Sequence, residues 1–348
     1  MNQLKTPPLK RVRRRSSTDS EMLRHLSARV IGQQHAMRAI VPFVQMYEAG
    51  LGPECRPAGV FLLLGPTGTG KTRTVEALAE VIHGSKRNML RVDCGEFQMD
   101  HEVAKLTGAP PGYLGHRETH PVLTQAKLAA ITSQNSSLSI VLFDEVEKAA
   151  SSLTRLLLGV LDKACLRLGD NNVVNFERCL IFLTSNVGAH KMQTALLPGM
   201  GFRPEQTEPQ MAIASRLEAI SKNAARRSFA PEFLNRVDEI VTYQPLCTAS
   251  LETILDMQLR EFQEHLNDRL GARTFRVEIP AAVRRFLLER GTSLEYGARE
   301  IGRAVQKHVA QPVASLVIEG RVKPGGLVRI GIPSGEASHE IMSLPEAA

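Results

Sequence analysis

The sequence predicts an α/β domain built on a central parallel sheet, followed by a smaller, mainly helical C-terminal domain. Three observations carry that expectation. A glycine-rich stretch, Gly65-Pro66-Thr67-Gly68-Thr69-Gly70-Lys71-Thr72, lies between an apolar run and a segment of helical spacing. Two further apolar runs, residues 140–143 and 180–183, end in the polar groups Asp144-Glu145 and Thr184-Ser185-Asn186. After Pro245 the pattern changes to long amphipathic helices. Unbroken apolar runs suit strands covered on both faces, as in parallel sheets.

The glycine-rich stretch has the spacing G-x-x-x-x-G-K-[ST] of a phosphate loop. Its glycines let successive backbone N–H groups turn inward around an anion, and the following helix adds its dipole. Lys71 has the reach for β- and γ-phosphates, and Thr72 for Mg²⁺. Asp144 and Glu145 stand at the C-terminal end of a strand, where open α/β sheets place their ligands. In a phosphate-loop enzyme the first carboxylate holds Mg²⁺ and the second orients or deprotonates the attacking water. Asn186, at the end of the next strand, is placed to hydrogen-bond that water or the γ-phosphate.

Bulk properties bound the rest. The chain has 348 residues, 43% of them apolar, with no Trp, so its core is expected to be aliphatic. No apolar run is long enough to cross a bilayer, and no membrane role is expected. Cys55, Cys94, Cys165, Cys179 and Cys247 are scattered and never in C-x-x-C spacing, which fits free thiols in a reducing compartment. The expectation is a soluble, cytoplasmic protein. The net charge is +7, but Lys5, Lys10, Arg11, Arg13, Arg14 and Arg15 precede the first acidic residue, Asp19. The basicity belongs to a tail, expected to be disordered over residues 1–20, and the body is nearly neutral.

In chain order, residues 21–50 predict two helices interrupted by Val30-Ile31-Gly32-Gln33. Residues 89–93 predict a strand. The stretch Gly108-Ala109-Pro110-Pro111-Gly112-Tyr113-Leu114-Gly115 forbids a helix and leaves Tyr113 as its bulkiest side chain. Residues 187–210 predict a long loop, 211–227 a helix and 239–243 a strand. The expected division is a large domain over 21–245, a small domain over 246–332 and a flexible tail over 333–348. Within the small domain, helices are expected over 250–270, 281–289 and, unbroken, from about Tyr296 to Glu319. A strand is expected over 274–279 and another over 327–332, before a frayed end.

Taken in order, Val-Ile-Gly-Gln, the phosphate loop, Gly-Tyr-Leu-Gly, Leu-Phe-Asp-Glu-Val-Glu-Lys, Thr-Ser-Asn-Val-Gly, Pro-Glu-Phe-Leu-Asn-Arg and Gly-Ala-Arg resemble the AAA+ ATPases of the Clp class. The likeness is greatest to the second ATPase domain of ClpB, ClpA and ClpC, and runs from about residue 22 to 332. It implies an ATP hydrolase using ATP and Mg²⁺. Val30 and Ile31 would line the adenine pocket, and Asn186 would be the first sensor. Arg236 would be an arginine finger completing a neighbour's site, and Arg299 a second sensor. A finger acting in trans implies a ring, in this family a hexamer. Tyr113, with Gly112, Leu114 and Gly115, would line its pore and grip extended polypeptide.

The function so implied is an ATP-dependent unfoldase or remodelling chaperone for unfolded or aggregated polypeptides. The length leaves no room for a second ring or a recruiting domain, so a single-ring machine is expected. Leu114, His116, Glu300 and Gly302-Arg303 depart from the usual pattern without emptying a catalytic position. Three alternatives stay open. Met200-Gly201-Phe202 resembles the tripeptide by which relatives dock on a ClpP peptidase, implying a protease subunit. The basic tail allows a nucleic-acid-associated motor. A switch that barely hydrolyses is disfavoured by the Asp144-Glu145 pair.

Overall fold

The computed structural model describes residues 18–108, 121–196, 210–291, 297–331 and 342–345. Most of the basic tail, the Gly112–Gly115 motif with Tyr113 and the Met200-Gly201-Phe202 motif lie outside them.

Two helices open the chain, α1 (Thr18–Arg29) and α2 (Gln34–Glu48). The latter buries Ala36, Met37, Ile40, Val41 and Val44 at helical spacing. The first strand, β1 (Gly59–Leu64), leads through the glycine loop into α3 (Lys71–His83). There follow β2 (Leu90–Asp93), the short helices α4 (Ala104–Thr107) and α5 (Gln125–Ala130), and β3 (Ser139–Asp144). Next come α6 (Ser151–Lys163), the antiparallel pair β4 (Cys165–Arg167) and β5 (Val173–Asn175), and β6 (Cys179–Ser185). The large domain continues through α7 (Ala189–Leu196), α8 (Gln210–Ser228), α9 (Pro231–Leu234) and β7 (Glu239–Thr242).

Five strands form one all-parallel sheet in the order β2-β3-β6-β1-β7. Every residue of β1, β3 and β6 is buried, as the unbroken apolar runs predict. The sheet separates two cores. One face packs Val60, Leu62, Val141, Phe143 and Ile181 against α6 and α9. The other packs Phe61, Leu63, Leu142 and Phe182 against α1, α2 and α3. The order also places β6 between β1 and β3, so Asn186 lies between the glycine loop and the Asp144-Glu145 pair.

The C-terminal part has its own core, built on α10 (Thr248–Leu270), β8 (Arg276–Glu278), α11 (Ala281–Gly291), α12 (Ala298–Val305), α13 (Gln311–Ile318) and β9 (Leu327–Gly331). A last strand, β10 (Met342–Pro345), pairs antiparallel with β9.

Three expectations need correction. The loop expected over 187–210 contains α7, anchored by the fully buried Met192. The helix expected to run unbroken to Glu319 is two helices joined by a π-helical turn, Gln306–Ala310. Pro312, in the first turn of α13, explains the break: it has no N–H and its ring would clash with the carbonyl four residues back. Part of the end expected to fray is β10, which covers an edge of β9 that alternates buried and exposed residues.

Candidate active site

The glycine loop crosses close to the end of β7. A Cβ on Gly65 would stand 2.6 Å from the Tyr243 carbonyl oxygen, so only glycine fits there. Five of the loop's carbonyls accept hydrogen bonds. Lys71 Nζ donates to Gly65 O at 2.6 Å and Pro66 O at 2.9 Å. Ala298 N–H donates to Gly68 O at 3.1 Å, and Thr74 N–H to Gly70 O at 2.9 Å. Gln33 Nε2 donates to Thr69 O at 3.1 Å. In a trans peptide N–H and C=O point in opposite directions, so Gln33, by holding Thr69 O from behind the loop, turns the Gly70 amide hydrogen the other way.

The loop borders a cavity of about 360 Å³ lined by Thr67, Gly68, Thr69, Gly70, Lys71 and Thr72. Gly65 and Pro66 do not line it; their carbonyls hold Lys71. Asp144, Glu145, Thr184, Asn186 and Arg299 complete the polar end, and Val30, Ile31, Leu246, Ile254 and Met257 the apolar end. A cavity with one apolar end and one anion-binding end is the shape a nucleotide requires.

At the polar end the side chains are wired together. Lys71 Nζ donates to Asn186 Oδ1 at 2.9 Å, and Asn186 Nδ2 donates to Glu145 Oε1 at 3.1 Å. Asn186 N–H donates to Glu147 Oε1 at 2.9 Å. Glu145 N–H donates to Thr184 Oγ1 at 2.9 Å, and that hydroxyl donates to Asp144 Oδ1. Arg91 Nη2 donates to Asp144 Oδ2 at 2.6 Å. Glu145 Oε2 pairs with Lys148 Nζ at 2.5 Å. Glu145 itself has φ +57°, a left-handed conformation uncommon for a non-glycine residue and concentrated at functional sites. Burial is the largest influence on Lys71 and pulls its pKa down to about 8, against the opposing pull of Glu147 and Asp144.

A family model described as "AAA domain (Cdc48 subfamily)" matches residues 56–240. The chain belongs to this family. A second model, the C-terminal D2-small domain of ClpB protein, matches residues 246–330 of this AAA chain. The chaperone protein ClpB of Rhodopseudomonas palustris is 37% identical over 90% of the chain and 33% of its own length. The ATP-dependent Clp protease ATP-binding subunit ClpC of Staphylococcus saprophyticus is 35% identical over 96% of the chain and 39% of its own length. The chain thus spans little more than a third of these relatives. Among solved structures, the S. cerevisiae Hsp104–ADP complex superposes with a TM-score of 0.77, 27% identity, 96% of this chain and 54% of that one. A closed-state reconstruction of Hsp104 with ATPγS and FITC casein gives 0.76 at 26% identity, over 97% of this chain and 53% of that one. The architecture is accordingly an AAA+ domain followed by a small helical domain of the Clp class.

Of the residues singled out in this AAA sequence, Arg236 is not brought to the cavity. It caps the end of α9, where Nη1 donates to Glu232 O at 2.6 Å and Nε lies 3.4 Å from Asp162. Sequence reasoning also passed over several contributors. Gln33 was legible only as part of a motif. Thr184 lies inside Thr-Ser-Asn, where nothing in the sequence separates its hydroxyl from an ordinary strand residue. Arg91 offered one signal, a guanidinium inside a short strand whose neighbour ends in Asp144.

Proposed function

We propose that this chain is an ATP-driven protein unfoldase or remodelling chaperone that works as a ring, in the manner of the Clp class, with residues 21–245 as its motor and 246–332 as its small domain. The observation that supports the ATPase chemistry is the bridge Lys71–Asn186–Glu145, which joins the lysine of the glycine loop to the Glu145 carboxylate. The names of the ClpB and ClpC relatives and of the Hsp104 structure with casein support the polypeptide substrate, and a cytoplasmic setting is part of the same proposal.

The cavity suits ATP: amide hydrogens and Lys71 for phosphates, Val30 and Ile31 for the base. Thr72 and Asp144 offer the hard oxygen donors that Mg²⁺ takes. A Mg²⁺ held by these two would complete its octahedral shell with water and phosphate oxygens. Bound Mg²⁺ supplies charge neutralisation at the β- and γ-phosphates. Lys71 holds a proton at Nζ beside those oxygens. Asn186 Nδ2 orients Glu145, whose carboxylate takes the proton of the attacking water. Arg299 lines the same cavity from the small domain and reads its contents. Arg236, held away from its own cavity, completes the site of the next copy in a homohexamer, where its charge stabilises the transition state.

Tyr113 and its neighbours Gly112, Leu114 and Gly115 would grip the threaded chain. The test is ATPase rate with and without an unfolded model protein. Stimulation of the wild type, together with hydrolysis but no unfolding by Tyr113→Ala, supports threading. A wild type indifferent to polypeptide contradicts it. The ClpC relative's name favours a second reading, an ATPase subunit that feeds a ClpP-like peptidase through Met200-Gly201-Phe202. In that case Phe202→Ala abolishes peptidase-dependent degradation and leaves ATPase activity intact. A nucleic-acid partner would enter only through the basic tail, and deleting residues 1–18 would then remove salt-dependent DNA binding.

A further inference from the structure

One buried side chain holds the phosphate loop from behind and takes no part in the chemistry above. Gln33 occupies the position that caps α2, yet its side chain makes no capping hydrogen bond to that helix. It is fully buried and reaches elsewhere. Its Nε2 donates to Thr69 O at 3.1 Å and to Gln244 O at 2.8 Å. Its Oε1 accepts from Gln244 N–H at 3.3 Å. A single amide thus satisfies three backbone groups from two distant segments. Buried polar groups are costly unless paired, so such a side chain is tightly specified.

The two segments are the phosphate loop and the passage from β7 to α10, where the chain leaves the sheet for the small domain. The preceding loop carbonyl, Gly68 O, accepts from Ala298 N–H at the start of α12. Neighbouring carbonyls of the loop are therefore gripped from the hinge and from the small domain. Few side chains can replace Gln33. Glutamate has no donor for the two carbonyls, asparagine is a methylene shorter, and lysine or arginine has no acceptor and would bury a second cation near Lys71.

We infer that Gln33 is a positioning residue for nucleotide binding: it fixes the Thr69–Gly70 peptide with its N–H toward the cavity and ties that peptide to the hinge at Gln244. This rests on the nucleotide reading of the cavity. Phosphate contact at the loop and the setting of α10 are then linked through one amide. The link is local, and it does not pass through Arg299.

The test uses the full chain with Gln33→Met, which keeps length without hydrogen bonds, and Gln33→Glu, which keeps shape without donors. The readouts are the dissociation constant for mant-ADP in Mg²⁺, the ATP KM and kcat, and the melting temperature without nucleotide. Both variants are expected to bind mant-ADP about 10-fold or more weakly, with KM raised in step and kcat within about threefold, because orphaned backbone groups let the loop leave its binding geometry. A lowered melting temperature with unchanged mant-ADP affinity overturns the inference and leaves Gln33 a structural residue. If neither variant folds, hydrogen exchange on the wild type decides. The Gln244 amide and the phosphate-loop amides should slow together on adding mant-ADP; protection of the loop with an unchanged Gln244 amide overturns the inference. A wild type that does not bind mant-ADP contradicts the nucleotide reading itself.

Discussion

Asn186 stands at the centre of the site, accepting from Lys71 and donating to Glu145. Its two hydrogen bonds run in fixed directions, so removing the amide leaves Glu145 held only through Lys148 and leaves Lys71 one acceptor short. Asn186→Ala is expected to lower kcat about 10- to 100-fold with little change in mant-ADP affinity, as measured by steady-state hydrolysis and fluorescence titration. Glu145→Gln is expected to stop turnover while nucleotide still binds, because the amide keeps the shape and loses the base. A variant that hydrolyses at the wild-type rate would remove Glu145 from its role. At this scale the sequence was partly legible. Lys71, Thr72, Asp144 and Glu145 announce themselves because their chemistry depends on neighbours in sequence. Arg91 and Gln33 act on residues more than thirty positions away. Their roles exist only once β2 lies beside β3 and the α1–α2 turn lies against the loop.

Among elements, the buried strands of the parallel sheet were the most legible, since burial on both faces writes a continuous apolar run. Less legible were β4 and β5, three residues each, and α7, whose eight residues precede a polar stretch. Short elements owe their form to packing more than to periodicity. The contact between the phosphate loop and the start of α12 was likewise invisible in sequence. There Gly297 has φ +54°, and a Cβ would stand 2.9 Å from Gly68 O. Gly297→Ala is expected to destabilise the protein by about 1–3 kcal/mol in urea titration and to weaken mant-ADP binding, since strain and clash fall on the same contact.

The helix leaving the loop also carries a pH dependence. Burial at the end of α3 lowers the pKa of His83 from its usual 6.5, against a hydrogen bond to the Leu138 backbone carbonyl that raises it. The unfolded chain therefore binds the extra proton first as the pH falls through 6.5. The contribution of His83 to stability is complete above that value and is lost on acidification toward the folded pKa. His83→Gln, which lacks the titrating ring, is expected to lose less melting temperature than the wild type between pH 7 and 5.5.

For the whole molecule, the large and small domains meet across the cavity, with Arg299 from one facing Lys71 and Glu145 from the other. An ion pair from Arg73 to Glu261 spans the same gap at 3.3 Å. A nucleotide in this cavity would touch both domains at once, as the proposed ring motor requires to convert hydrolysis into movement. The proposed ring rests on Arg236. That residue is absent from its own cavity, so if it serves catalysis it serves another copy's site.

That claim is tested most directly by mixing two inactive variants, Glu145→Gln and Arg236→Ala, and measuring ATPase rate against the proportion of each. In a mixed ring, an Arg236→Ala subunit keeps its own Glu145 and receives Arg236 from a Glu145→Gln neighbour. The expected result is activity that rises from near zero at either pure variant to a maximum in between. A mixture that stays inactive at every proportion, under conditions where the variants are shown to co-assemble, would contradict a nucleotide site shared between neighbouring copies.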